Sequence, residues 1–310
     1  MHENALRADE AERSGMLSTI KRSNLLPLWL LGPVGVLLIL ILIWPILQGI
    51  ALSFYNTRIL TYSEGRFIGL ANFNALFQDE YFWNSLRVTA TYGIASVTAT
   101  YALGLGFALL LNREFAGRGV IRTIFILPWA IPEVVAVLIF VWMLDPQFGV
   151  LNYLFTSLGL ISEPLPWLSQ SHLALPALVA LTAWQQFPLA MLIILAGLQM
   201  IPREQYEAAT IDGAGPVSRF IHVTLPGLRS VNIILILLLT LNSFRRVTMI
   251  YAMTRGGPAR STETLSILTY NTAFEYQRIG YAAAVGTTLL IILLFFSVVY
   301  FWATKQGKDA

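Results

Sequence analysis

The chain has 310 residues, of which 56% are hydrophobic and only 12% charged, with a formal net charge of +3. Length alone would allow about two soluble domains, but charge this sparse, collected between long apolar runs, points instead to a chain that crosses a membrane several times. Cysteine is absent, which excludes disulfides, thiol chemistry and cysteine-ligated metals. His2, His172 and His222 lie too far apart in sequence to suggest a metal site or a shared base, and the small positive balance does not imply nucleic acid.

Residues 1–24 mix acids and bases without apolar periodicity and read as a cytoplasmic tail. The apolar run after Lys21-Arg22 is too long for a cleaved signal core, so an uncleaved first span is expected at about 28–54. A polar and aromatic connection, 56–85, leads to a second span at about 86–111, where Gly93, Gly104 and Gly106 would let helices approach closely. After a basic turn, a third span is expected at about 120–144. Pro128 and Pro132 should kink it and free carbonyls that must face protein or a wet cavity. A connection without Lys or Arg, 145–172, precedes a fourth span at about 173–200, interrupted by Pro188. The stretch 201–229 is polar, the fifth span falls at about 230–253, and an external loop leads to the sixth at about 281–302 and a short tail, 305–310. The side holding both ends and the 201–229 stretch carries about twice the Lys and Arg of the other side, which places both termini in the cytoplasm.

Within 201–229 the residues read as a docking element. Pro202 suits the start of a short helix over Arg203 to Asp212, and Gly213 its left-handed stop. A second turn from Gly215-Pro216 puts Val217, Phe220 and Ile221 on one apolar side. Glu207-Ala208-Ala209, three residues, Gly213, nine residues, then Val223-Thr224-Leu225-Pro226 resembles the signature loop of permease subunits of bacterial ABC importers of the carbohydrate-uptake, binding-protein-dependent type. Val223 stands where isoleucine is usual. A helical loop with no special role is the plainer alternative, and it needs spacing, caps and topology to agree by accident.

Phe67 to Phe73, Gly149 to Asn152, Thr254 to Pro258, Thr262 to Leu265 and Gly280 to Ala284 are similar to external segments of the same family. The resemblance implies an all-α polytopic membrane protein of six transmembrane helices with the type I ABC importer permease fold, in the lipid of a bacterial inner (plasma) membrane. It further implies that Glu207, Ala208, Ala209, Asp212, Gly213 and Pro226 dock in a cleft of a separate ATPase subunit. The expected partners are a second permease subunit, a different chain, two ATPase subunits that hold ATP and Mg, and an external solute-binding protein. This chain itself is expected to bind no cofactor, metal or nucleic acid.

Polar residues at membrane depth are expensive and face a bundle interior or a cavity. Glu133 lies near the middle of the third span, Gln185 and Gln186 within the fourth, and Asn242, Ser243, Arg245 and Arg246 within the fifth. The resemblance implies that Glu133, then Gln185, Gln186 and Leu189, then Asn242, Ser243 and Arg246 line the transport path. Each has a structural alternative: Glu133 could pair with Arg245 or Arg246, and the glutamines could be interhelical partners. Glutamines suit hydroxyl groups, whereas guanidinium groups favour a carboxylate, phosphate or sulfonate. The expected cargo is therefore a sugar or sugar derivative, with an anionic group allowed for by the arginines.

No Gly-x-x-x-x-Gly-Lys-Ser/Thr loop occurs, so the chain is expected to be a non-catalytic translocation subunit. The competing class is a secondary transporter of a polar solute, but the first three spans do not mirror the last three as an inverted repeat would. A membrane-embedded enzyme would have only Glu133 as a candidate catalytic group.

Overall fold

The computed structural model describes residues 26–58 and 65–306. The expected tail at 1–24 and the end of the chain beyond 306 lie outside these residues. The chain divides into two units between Leu52 and Ser53. In the first, α1 (Leu26–Leu38) passes through a π turn (Ile39–Ile43) into α2 (Trp44–Leu52). Within it Leu31–Leu52 is long and apolar enough to cross a membrane.

The second unit opens with a short antiparallel ribbon, β1 (Tyr55–Asn56) against β2 (Arg66–Phe67). Next come α3 (Ala71–Gln78) and α4 (Glu80–Leu111). The Asp79 carboxylate accepts from the Tyr81 amide at 2.9 Å and so caps α4, which is why the helix starts before the expected residue 86. Then follow α5 (Arg118–Ala130), α6 (Glu133–Met143), α7 (Val150–Ser157) and α8 (Ser171–Gln199). The 201–229 segment holds α9 (Arg203–Ile211), α10 (Pro216–Arg219), a π turn (Phe220–Thr224) and α11 (Leu225–Gly227). The chain closes with α12 (Arg229–Phe244), α13 (Thr248–Thr254), α14 (Leu265–Tyr270), a π turn (Asn271–Glu275) and α15 (Ile279–Gln306).

The second unit is organised on α4 and α8. Gly104 lets them meet, because a Cβ there would stand 2.7 Å from the Cβ of Ala190. Gly93 likewise admits the Phe244 ring, 2.9 Å from where its Cβ would be. Gly106, expected to serve the same way, has nothing within 4 Å; two residues further along a helix lies roughly the opposite face. Near one end of the pair an apolar cluster gathers Leu111, Met191, Ile194, Leu195, Leu228 and Leu235. Toward the other end a second cluster holds Tyr92, Val137, Leu178, Leu181, Met249 and Ile250. The Tyr92 hydroxyl shares a buried 2.7 Å hydrogen bond with Thr182.

Among the described residues four helices are long and apolar enough to cross a membrane, and up to six spans result if each bent pair is one. The expected third span is not a single rod: α5 and α6 meet at 94°. Pro132 lacks the N–H that a continuing helix needs, and Ile131 before it is extended, with φ −75° and ψ 128°. The expected span at 230–253 is also divided, ending at Phe244 and resuming at Thr248. Alone, α12 is about 24 Å long, short of the roughly 30 Å hydrocarbon thickness; the α10–α11 segment meets it at 70°.

The external loop expected after Met253 is in fact largely packed. Thr262, Leu265 and Ile267 are fully buried, and Thr264 caps α14 by accepting from the Ile267 amide. Arg260 donates to buried Glu263 at 2.7 Å and lies 3.7 Å over the Tyr81 ring.

Candidate functional site

Between the two apolar clusters lies a cavity of about 490 Å³, lined by Trp129, Ile131, Glu133, Gln185, Gln186, Leu189, Asn242, Arg245, Arg246, Val247 and Thr248. Both helix breaks open onto it. Pro132 sets Glu133 in the first turn of α6, the end of α12 supplies Asn242, and the interruption after Phe244 supplies Arg245, Arg246 and Val247. Gln185 sits at the midpoint of α8, a helix about 43 Å long.

Arg246 is the hub. Its Nη1 donates to Gln185 Oε1 at 3.0 Å and faces Glu133 Oε1 at 3.4 Å. With the Gln186 amide oriented oxygen-first, that oxygen accepts from Nη2 and Nε of Arg246, both at 2.9 Å. Gln185 also repairs the first break, its Nε2 donating to the Ile131 carbonyl at 3.4 Å. At the second break Ser266 donates to the Phe244 carbonyl. Such repair lets irregular backbone survive at membrane depth. Arg245 is exposed and donates to Asn242 Oδ1 at 3.0 Å.

The structure thus brings together Glu133, Gln185, Gln186, Leu189, Asn242, Arg245 and Arg246. It does not bring Ser243 to the cavity. That side chain is 3% exposed, and its hydroxyl turns back along α12 to the Leu239 carbonyl at 2.9 Å. Of the two arginines offered to Glu133, the nearer is Arg246. Trp129, Ile131, Val247 and Thr248 were missed; they flank the same two breaks, so proximity to Pro132 and to the Arg-Arg pair was the signal available.

The second candidate site is the 201–229 segment. Pro202 precedes α9 as its cap, and Asp212 follows it. Gly213 has φ +79°, its amide donates to the Thr210 carbonyl at 3.1 Å, and the Ala214 amide to the Ala209 carbonyl at 2.9 Å. These two bonds are a Schellman closure. Arg219 ties the second turn back to Thr210 at 3.1 Å, and Tyr206 shares a 3.0 Å hydrogen bond with Thr224. Glu207, Ala208, Asp212 and Pro226 are exposed and Ala209 half-buried. Beside them Ile211 is 87% and Val217 72% exposed, an apolar pair on an otherwise charged projection.

Residues 100–306 match the family model of the binding-protein-dependent transport system inner membrane component. The chain belongs to this family. The permease is 33% identical to the sulfoquinovosyl glycerol transport system permease protein SmoG of Agrobacterium fabrum, over 89% of each chain. It is 35% identical to the trehalose/maltose transport system permease protein MalF of Thermococcus litoralis, over 79% of this chain and 82% of that one. Identity is 33% with the sn-glycerol-3-phosphate transport system permease protein UgpA of Agrobacterium fabrum, over 90% and 94% respectively. A solved chain from a bacterial ABC transporter involved in import of the acidic polysaccharide alginate shares the fold. Its TM-score is 0.77 at 23% identity, over 94% of this chain and 98% of that one. The permease is therefore an inner-membrane transport subunit with the helical fold of ABC importer permeases.

Proposed function

We propose that this permease is the translocation subunit of an ATP-driven importer of a sugar or sugar derivative, non-catalytic itself and driven by a separate ATPase through α9. The observation that carries the reading is the α9 projection: a capped helix that leaves Glu207, Ala208 and Asp212 exposed while Arg219 and Tyr206 brace it from behind. Exposed Ile211 and Val217 on a polar segment give a partner apolar area to bury. The sugar cargo is supported by the likeness to the sulfoquinovosyl glycerol and trehalose/maltose permeases.

A single chain offers one such projection, so the working assembly contains a second permease and two ATPase subunits holding ATP and Mg. An external solute-binding protein delivers the cargo. Both termini and α9 face the cytoplasm, where ATP is. Glu207→Ala and Gly213→Ala are expected to weaken co-purification of the ATPase and uptake while leaving membrane insertion intact. The second substitution puts a methyl where φ is positive, costing about 1 kcal/mol locally. Normal ATPase stoichiometry together with normal uptake in both variants refutes the reading.

A further inference from the structure

The free hydrogen-bonding capacity of the cavity leans toward donors. Oxygens of Gln185, Gln186 and Glu133 all face the Arg246 guanidinium, and Asn242 Oδ1 accepts from Arg245. The groups left to meet a solute are the amide N–H of Asn242 and Gln186 and the remaining N–H of Arg245 as donors, against Glu133 Oε2 and the Thr248 hydroxyl as acceptors. The lining sets one carboxylate against two guanidinium groups, and that carboxylate is paired with Arg246. Arg245 has no acidic partner among the described residues. A neutral sugar brings a donor with every hydroxyl as well as acceptors, and meets fewer acceptors than donors here. A carboxylate, sulfonate or phosphate group brings acceptors only.

We propose that the cavity is selective for an anionic sugar derivative, with Arg245 taking the acidic group and Arg246 acting as the positioning residue that holds Gln185, Gln186 and Glu133. This rests on the importer reading above and narrows its cargo. A guanidinium at membrane depth without a counter-charge is costly when the cavity is empty of solute, and an anion relieves that cost. Trp129, 52% exposed at the cavity wall, offers a flat apolar face for the C–H groups of the ring.

The test is calorimetric titration of the detergent-solubilised permease–ATPase complex with glucuronate, glucose 6-phosphate and glucose. The acids are expected to bind at least about tenfold more tightly than glucose. Arg245→Gln should erase that preference and Arg245→Lys keep part of it. Equal binding of acids and glucose by the native complex, or an unchanged preference in Arg245→Gln, overturns the proposal. Should Arg245→Gln not assemble, ionic strength decides: the preference must fall as salt rises, and a salt-independent preference overturns it. ATPase co-purification and ATP-dependent uptake with the same preparation report the importer reading separately. If these persist while the acid preference is missing, only the cargo assignment falls.

Discussion

Two adjacent arginines do different work in this molecule, and stability separates them. Arg246, 15% exposed at its side chain, is held by Glu133 and two glutamines. Arg246→Ala should destabilise the permease by about 2–4 kcal/mol, since it strands Glu133 and leaves buried glutamine oxygens without donors. Arg245→Ala removes only the bond to Asn242 and should cost under about 1 kcal/mol. Thermal unfolding of the solubilised permease checks the contrast, and equal shifts would show that Arg246 is not the organising group. The sequence makes the membership of this cluster readable, because charge and amide groups at membrane depth have to face inward. It cannot say which arginine meets Glu133. That depends on where the helical ladder stops, one residue before Arg245, and the stop is fixed by Ser266 arriving from a segment more than twenty residues later. Ser243 misled for a related reason: a hydroxyl can satisfy itself on its own helix.

At the scale of the element, local signals were legible and long-range ones were not. The α9 helix is written in its own residues, with Pro202 before it and Gly213 after it. The packing of α14 is not, because Leu265 and Ile267 are covered by helices remote in sequence. Glycine spacing shows the same divide: three glycines suggested close contact on α4, and the partner surface selects two of them. Gly104→Val should therefore force α4 and α8 apart at a cost of about 1–3 kcal/mol, whereas Gly106→Val should cost under about 1 kcal/mol. Melting curves of the two variants make the comparison, and a Gly104→Val protein as stable as the native one would contradict the packing described.

For the whole molecule, sidedness follows from α8. Phe148 precedes this helix, Ala208 follows it, and both are exposed. With no cysteine in the native chain, single cysteines can be read without background. Phe148→Cys should react with a membrane-impermeant maleimide in intact cells, and Ala208→Cys only in inverted vesicles. Labelling of both from one side would remove α8 as a crossing helix and the coupling scheme with it. The six-span expectation was legible in hydropathy alone, but the division of two spans needed the fold, since Pro132 announces one break and no proline announces the other.

Both interrupted rods lose their backbone ladder beside the same small chamber, and at each break one carbonyl accepts from a side chain of another helix. Twisting the chain at these two points breaks no bond of a regular helical turn, whereas bending it elsewhere would. Under the importer reading proposed above, the fulcrum of a lever action transmitted from α9 would coincide with the cavity offered to the solute, so the mouths on either side would exchange access while the solute itself need hardly move.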